Sequence, residues 1–86
     1  MGGLPTGTVN GFAVDSTNPK VMLVAMRAGL FRSDDAGGRW TATRGAPRNA
    51  AAVAINPRRP SEAYTATMEG QIFLSRDGGH SWASVR

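Results

Sequence analysis

Apolar residues along this chain gather in short runs separated by Gly, Pro, Asn and Asp, and no sustained 3.6-residue periodicity appears. Runs of five or six residues bounded by turn formers predict strands, at 9–14, 21–26, 29–33 and 39–43, then 51–55, 63–67, 71–75 and 81–85. The run 21–26 is apolar at every position, which suits a strand covered on both faces better than one facing water. Pro19 and Pro60 fall between the first and second strands of each half, where a fixed φ and a missing donor are tolerated. Gly29 and Gly70 mark tight connections into third strands, and Asp-x-Gly-Gly marks the hairpin before each fourth strand. The pattern predicts an all-β chain of two four-stranded antiparallel sheets.

The two halves are copies. The octapeptide from Ser33 to Trp40 returns from Ser75 to Trp82 with its anchors displaced by 42 positions. Phe12 to Asp15 matches Val53 to Asn56 at 41, as do Pro19 with Pro60 and Gly29 with Gly70. Gln71 then adds one residue, and Leu30 to Ser33 aligns with Ile72 to Ser75 at 42. The chain therefore divides into 1–44 and 45–86, each a linker followed by one unit. Repeats of this length are stacked supersecondary units that bury their faces against one another.

The repeated octapeptide has a mechanical reading. Ser33 and Asp35 can bond backbone groups in the turn, Gly37 and Gly38 permit positive φ, and Trp40 carries a large ring between sheets. Ser75, Asp77, Gly79 and Trp82 repeat those roles. The pair Asp34-Asp35 invites a cation reading, but Arg76 replaces Asp34 in the other copy, and hard cations want six or more oxygens. No metal and no cofactor are expected.

On these residues the chain resembles the BNR or Asp-box repeat family, whose pattern Ser-x-Asp-x-Gly-x-x-Trp it meets twice in full. The segments 15–19 and 56–60 are similar to the loop before the second strand in sortilin-like and xyloglucanase-like branches. Sialidases and photosystem assembly factors carry similar repeats. The resemblance implies that each unit is one four-stranded blade of a β-propeller, and that the box is a structural turn remote from any active centre.

Two blades leave apolar faces uncovered at both ends, so the expected partners are copies of the chain itself. Trp40 to Pro47 is seven steps, and Trp82 across Arg86 to Pro5 of a following copy is nine, so a head-to-tail ring keeps nearly the internal spacing. Homo-oligomerisation then gives six blades as a trimer or eight as a tetramer. The competing account is a fragment excised or engineered from a longer propeller.

Composition narrows the function classes. With no cysteine there is no disulfide or thiolate site, and the redox compartment is undetermined. No apolar run approaches the ~20 residues of a membrane helix, and no signal-peptide pattern opens the chain. The net charge of +4 comes from dispersed arginines, with Arg58-Arg59 the only pair, which argues against nucleic acid.

Candidates for chemistry are few. His80 occupies a variable position of the second box, and Tyr64 stands where the first copy has Leu23, a packing position. Glu62, Glu69 and Asp15 form no recurring carboxylate pair, and glycoside hydrolysis needs two carboxyls across the scissile bond. The reading is a structural, self-assembling module that is not an enzyme. The alternative is a glycan- or protein-binding module, with Asn10, Asn18, Asn49, Arg27, Arg48 and Glu69 as rim or groove residues. A glycoside-hydrolase-related fragment ranks below both.

Overall fold

The computed structural model describes residues 7–85. In each half, apolar and β-branched runs separated by turn residues zigzag into an antiparallel meander. The strands of the first half are β1 (Val9–Val14), β2 (Met22–Met26), β3 (Gly29–Ser33) and β4 (Thr41–Ala42), and they lie in that order in one sheet. Those of the second are β5 (Ala50–Ile55), β6 (Ala63–Thr67), β7 (Ile72–Ser75) and β8 (Ala83–Ser84), again in order. The first strand of each sheet carries the same irregularity, between Val9 and Gly11 in β1 and between Ala50 and Ala52 in β5. The repeat thus extends from residue types to register.

The fourth strands are shorter than the expected 39–43 and 81–85. The backbone N–H groups of Arg39 and Ser81 donate to the Asp35 and Asp77 carboxylates, so the turn draws them out of the ladder. Arg44 further forms a parallel bridge with Ser81 of the other sheet, donating to His80 O at 3.0 Å and accepting from Trp82 N at 2.9 Å. The second strand begins at Met22 because Val21 closes the preceding loop onto Asn18 O. The extra residue Gln71 is absorbed in the β6–β7 hairpin, where Thr67 N bonds Gln71 O.

The two sheets pack face to face through one core and leave a second core on the far side of the first sheet. Leu23, Ala25 and Leu30 from one sheet meet Ala50, Ala63 and Trp82 from the other, all buried. Val24, Met26 and Trp40 form the second cluster, with Met22 and Phe31 beside it. Alternate residues of β2 therefore serve opposite faces, as its continuous apolar run predicted. Gly11 lets β1 approach β5: a Cβ there would lie 3.0 Å from Ala52 Cα. These are two four-stranded sheets consistent with propeller blades.

Candidate functional site

The two box turns sit at the same end of their sheets, each built from local side-chain bonds and tied to the loop between the first two strands of its sheet by Ala36 N to Lys20 O at 3.0 Å and Gly78 N to Ser61 O at 2.9 Å. Ser33 Oγ donates to Asp35 Oδ1 at 2.8 Å and accepts from Gly37 N at 2.9 Å. Asp35 Oδ1 also accepts from Arg39 N at 2.9 Å. In the second copy Ser75 Oγ donates to Asp77 at 2.8 Å and accepts from Gly79 N at 2.9 Å, while the N–H groups of His80 and Ser81 point at Asp77. The Arg39 N–H and the Ser33 hydroxyl hold the Asp35 carboxyl below its ordinary pKa, and the Ser81 hydroxyl leads the same effect at Asp77. Each carboxylate is thus occupied as an acceptor inside its turn.

Positive φ falls one residue earlier than the residue types suggested. Ala36 (62°) and Gly37 (92°) adopt it in the first turn, Gly78 (78°) and Gly79 (93°) in the second, whereas Gly38 does not. Gly38 corresponds to His80, and the real equivalence is Ala36 with Gly78. Glycine content alone pointed to Gly38, while the turn geometry places the strain on an alanine. Both tryptophans are buried with Nε1 lacking a partner; Trp82 lies between the sheets and Trp40 on the far face of the first.

The opposite end carries a groove of about 1150 Å³, lined by Gly7, Thr8, Asn10, Arg27, Arg48, Asn49 and their neighbours Ala28 and Met68. In a meander, the β2–β3 hairpin, the β6–β7 hairpin and the linker between sheets all emerge at this end. Asn49, at φ 59°, ties them: its N–H donates to Arg27 O at 2.9 Å, and its carbonyl accepts from Met68 N at 3.0 Å. Its side chain donates to Glu69 at 3.0 Å, and Asn10 Nδ2 donates to Ala50 O at 3.1 Å. Arg27 and Arg48 are exposed, and among the described residues neither joins an ion pair. The groove is therefore polar and basic, and no aromatic ring lines it.

Of the six residues expected at a rim or groove, Asn10, Arg27, Arg48 and Asn49 come together there and Glu69 is bonded to Asn49 beside it. Asn18 does not join them. It lies in the β1–β2 loop at the box end, accepting from Lys20 N. Thr8 and Met68 were missed. Asp15, 9% exposed, accepts from Thr17 N and Oγ1 at 2.8 and 2.7 Å, and the Thr17 hydroxyl leads in holding its pKa down against the effect of burial. Asn56 makes the equivalent turn with Arg58 N. Glu62 faces Asn56 and Arg59 at the box end of β6, so it and Glu69 flank that strand at opposite ends. His80 is exposed in its turn, and Tyr64 is 43% exposed on the outer face of the second sheet. Among the described residues no cluster of three or more His, Cys, Asp or Glu could hold a metal, and no helix is long and apolar enough to cross a membrane.

No protein-family model matches the chain. Over 72 residues, 83% of the chain, it is 36% identical to vacuolar protein sorting/targeting protein 10 of Zygosaccharomyces rouxii, of which this stretch is 4%. Among solved structures it is similar to YCF48 from Cyanidioschyzon merolae, with a TM-score of 0.77 and 21% identity over 98% of this chain and 26% of that one. YCF48 bound to D1 peptide gives 0.68 and 15%, over 88% and 25% of the two chains. The GH74 xyloglucanase from Xanthomonas campestris gives 0.74 and 24%, over 85% and 10%. The chain thus spans a quarter or less of most of these relatives. It is an all-β protein of two four-stranded sheets resembling propeller blades, with distant likeness to YCF48- and GH74-type β-propeller proteins.

Proposed function

We propose that this chain is a binding segment of a β-propeller, and that its end groove takes an extended polypeptide carrying acidic side chains. The observation that carries this reading is the convergence of Asn10, Arg27, Arg48 and Asn49 around one open groove, with two arginines free of ion pairs. The exposed guanidinium groups of Arg27 and Arg48 offer planar donors to carboxylates along such a ligand. The absence of an aromatic ring from the lining disfavours a sugar, whose apolar face needs a stacking platform. The likeness to YCF48, solved with a peptide, and to a protein-sorting protein is in keeping with a polypeptide ligand.

Titrating the chain with acidic and neutral extended peptides, beside xyloglucan oligosaccharides, tests the proposal. Binding of the acidic peptide that weakens with salt and in Arg27→Glu or Arg48→Glu is the expected result. Saccharide binding with no peptide binding would overturn it in favour of the glycan alternative.

The sheet faces left open are completed by further blades. We propose that copies of the chain in a head-to-tail ring of three or four, giving six or eight blades, supply them. On this reading the module contributes scaffold and groove, with no catalytic step of its own.

A further inference from the structure

The contact between the two sheets is a template for a second contact of the same kind. Residues directly opposite in a ladder share a face, so the registers assign each side chain. The first sheet turns Gly11, Ala13, Leu23, Ala25 and Leu30 toward the second, and Leu23, Ala25 and Leu30 are at most 1% exposed. Their counterparts on the second sheet, Ala52, Ala54, Tyr64, Ala66 and Ile72, form its outer face, where Ala52, Ala54 and Tyr64 are exposed. In the other direction, Ala50, Val53 and Ile55 of β5 pack into the core between the sheets. Their counterparts Val9, Phe12 and Val14 are 44, 54 and 39% exposed on the far face of the first sheet. Each open face is therefore the repeat equivalent of a face already buried inside the chain.

The turns show the same asymmetry in finer detail. Gly79 is seated under Leu23: a Cβ on it would lie 2.8 Å from Leu23 Cδ2. The equivalent Gly37 has only its own sheet's Trp40 and Met22 nearby. Where the second turn enters the first sheet, a hollow of 140 Å³ remains among Arg32, Asp34, Thr41 and His80. The corresponding hollow on the second sheet, among Leu74, Arg76, Ala83 and Val85, is an open 460 Å³.

We infer that the Tyr64 face of β5–β8 receives the Phe12 face of β1–β4 of a second copy of this chain, with Tyr64 seated on Gly37 as Leu23 is seated on Gly79. The first box turn of the incoming copy fills the open hollow beside Leu74. The junction is heterologous, because a bulky ring must meet a glycine seat and two identical faces cannot supply both. Continuity with the internal interface selects another Asp-box blade as occupant, and the chain itself carries one with the required face. This inference rests on reading the sheets as blades completed by copies, and it specifies the two surfaces that meet.

Phe12→Arg and Tyr64→Arg, each on an exposed side chain, test it by native mass, with circular dichroism to check the fold. Val14→Arg and Ala54→Arg provide a second pair on the same faces. The unaltered chain is expected at three or four times its 9.0 kDa mass. Each variant alone should dissociate, its junction weakened roughly thirtyfold or more, as for a central aromatic anchor. An equimolar mixture of Phe12→Arg and Tyr64→Arg should form dimers, because one intact face of each kind remains. A monomeric unaltered chain, or variants that keep its mass, would overturn the inference. So would a Phe12→Arg protein that dimerises alone, which would mean that like faces pair. Peptide titration of the same samples reads the groove separately, so failure of one proposal is not mistaken for failure of the other.

Discussion

Leu23 of β2 rests on the α-carbon of Gly79, 56 residues away, so closely that a methyl group on Gly79 would stand 2.8 Å from Leu23 Cδ2. Gly79 also has φ 93°, a value L side chains rarely adopt. Gly37 shares the φ but lacks the neighbour. Gly79→Ala should therefore cost about 3 kcal/mol, strain plus overpacking, and Gly37→Ala only the strain component of about 1–2 kcal/mol. Chemical denaturation of the two variants measures the difference, and equal losses would remove the clash from the account.

Ala36 holds φ 62° where the second copy has Gly78 at 78°. Ala36→Gly removes the steric penalty of a left-handed alanine and adds some unfolded-state entropy. A net gain of about 0.5 kcal/mol is expected, visible as a higher denaturation midpoint, whereas Gly78→Ala should lose stability by about 1 kcal/mol.

Asp35 and Asp77 both titrate below the usual carboxylate range in the folded chain, so the folded state binds their protons later than the unfolded chain does. Their contribution is complete above the unfolded value of about 3.9 and is lost as pH falls toward the lower folded values. Asp77→Asn should cost about 1 kcal/mol at neutral pH, since its bonded carboxylate is exposed and screened. The gap from the unaltered chain should narrow below about pH 4. A gap independent of pH would assign the effect to shape instead of charge.

The Trp82 side chain contributes ring surface and no hydrogen bond, since among the described residues its buried Nε1 has no partner. Trp82→Ala should lose about 3–5 kcal/mol. Trp82→Phe, which forfeits volume without breaking a polar contact, should lose about 1–2 kcal/mol. Thermal unfolding of both separates packing from polar contributions, and a Phe variant as damaged as the Ala one would show that the indole is bonded after all.

Much of this architecture is legible in residue order, because a duplicated pattern lets each position be checked against its twin. The strand runs and the turns before Trp40 and Trp82 follow from it directly. Ala36 escaped because αL residues were sought among glycines, although alignment with Gly78 would have marked it. The shortened fourth strands escaped because Arg44 pairs beside Ser81 by bonding His80 O and Trp82 N, a contact between sheets that local pattern does not encode. Four groove residues were identifiable as polar loop positions. Asn18 was misplaced for a topological reason: in a meander successive loops alternate ends, and the β1–β2 loop belongs with the boxes.

The Ser and Asp side-chain bonds that shape each box span four residues or fewer. Such a loop closes in well under a microsecond, whereas Leu23 must search across 56 of the 86 residues to find Gly79. The expected order of folding is local first: two independent hairpins take shape, and the docking of one sheet on the other comes last. Kinetic φ-values near one at Ser75 and near zero at Leu23 would record that sequence, and the reverse pattern would contradict it. The turn that labels each repeat would then also be where its folding starts.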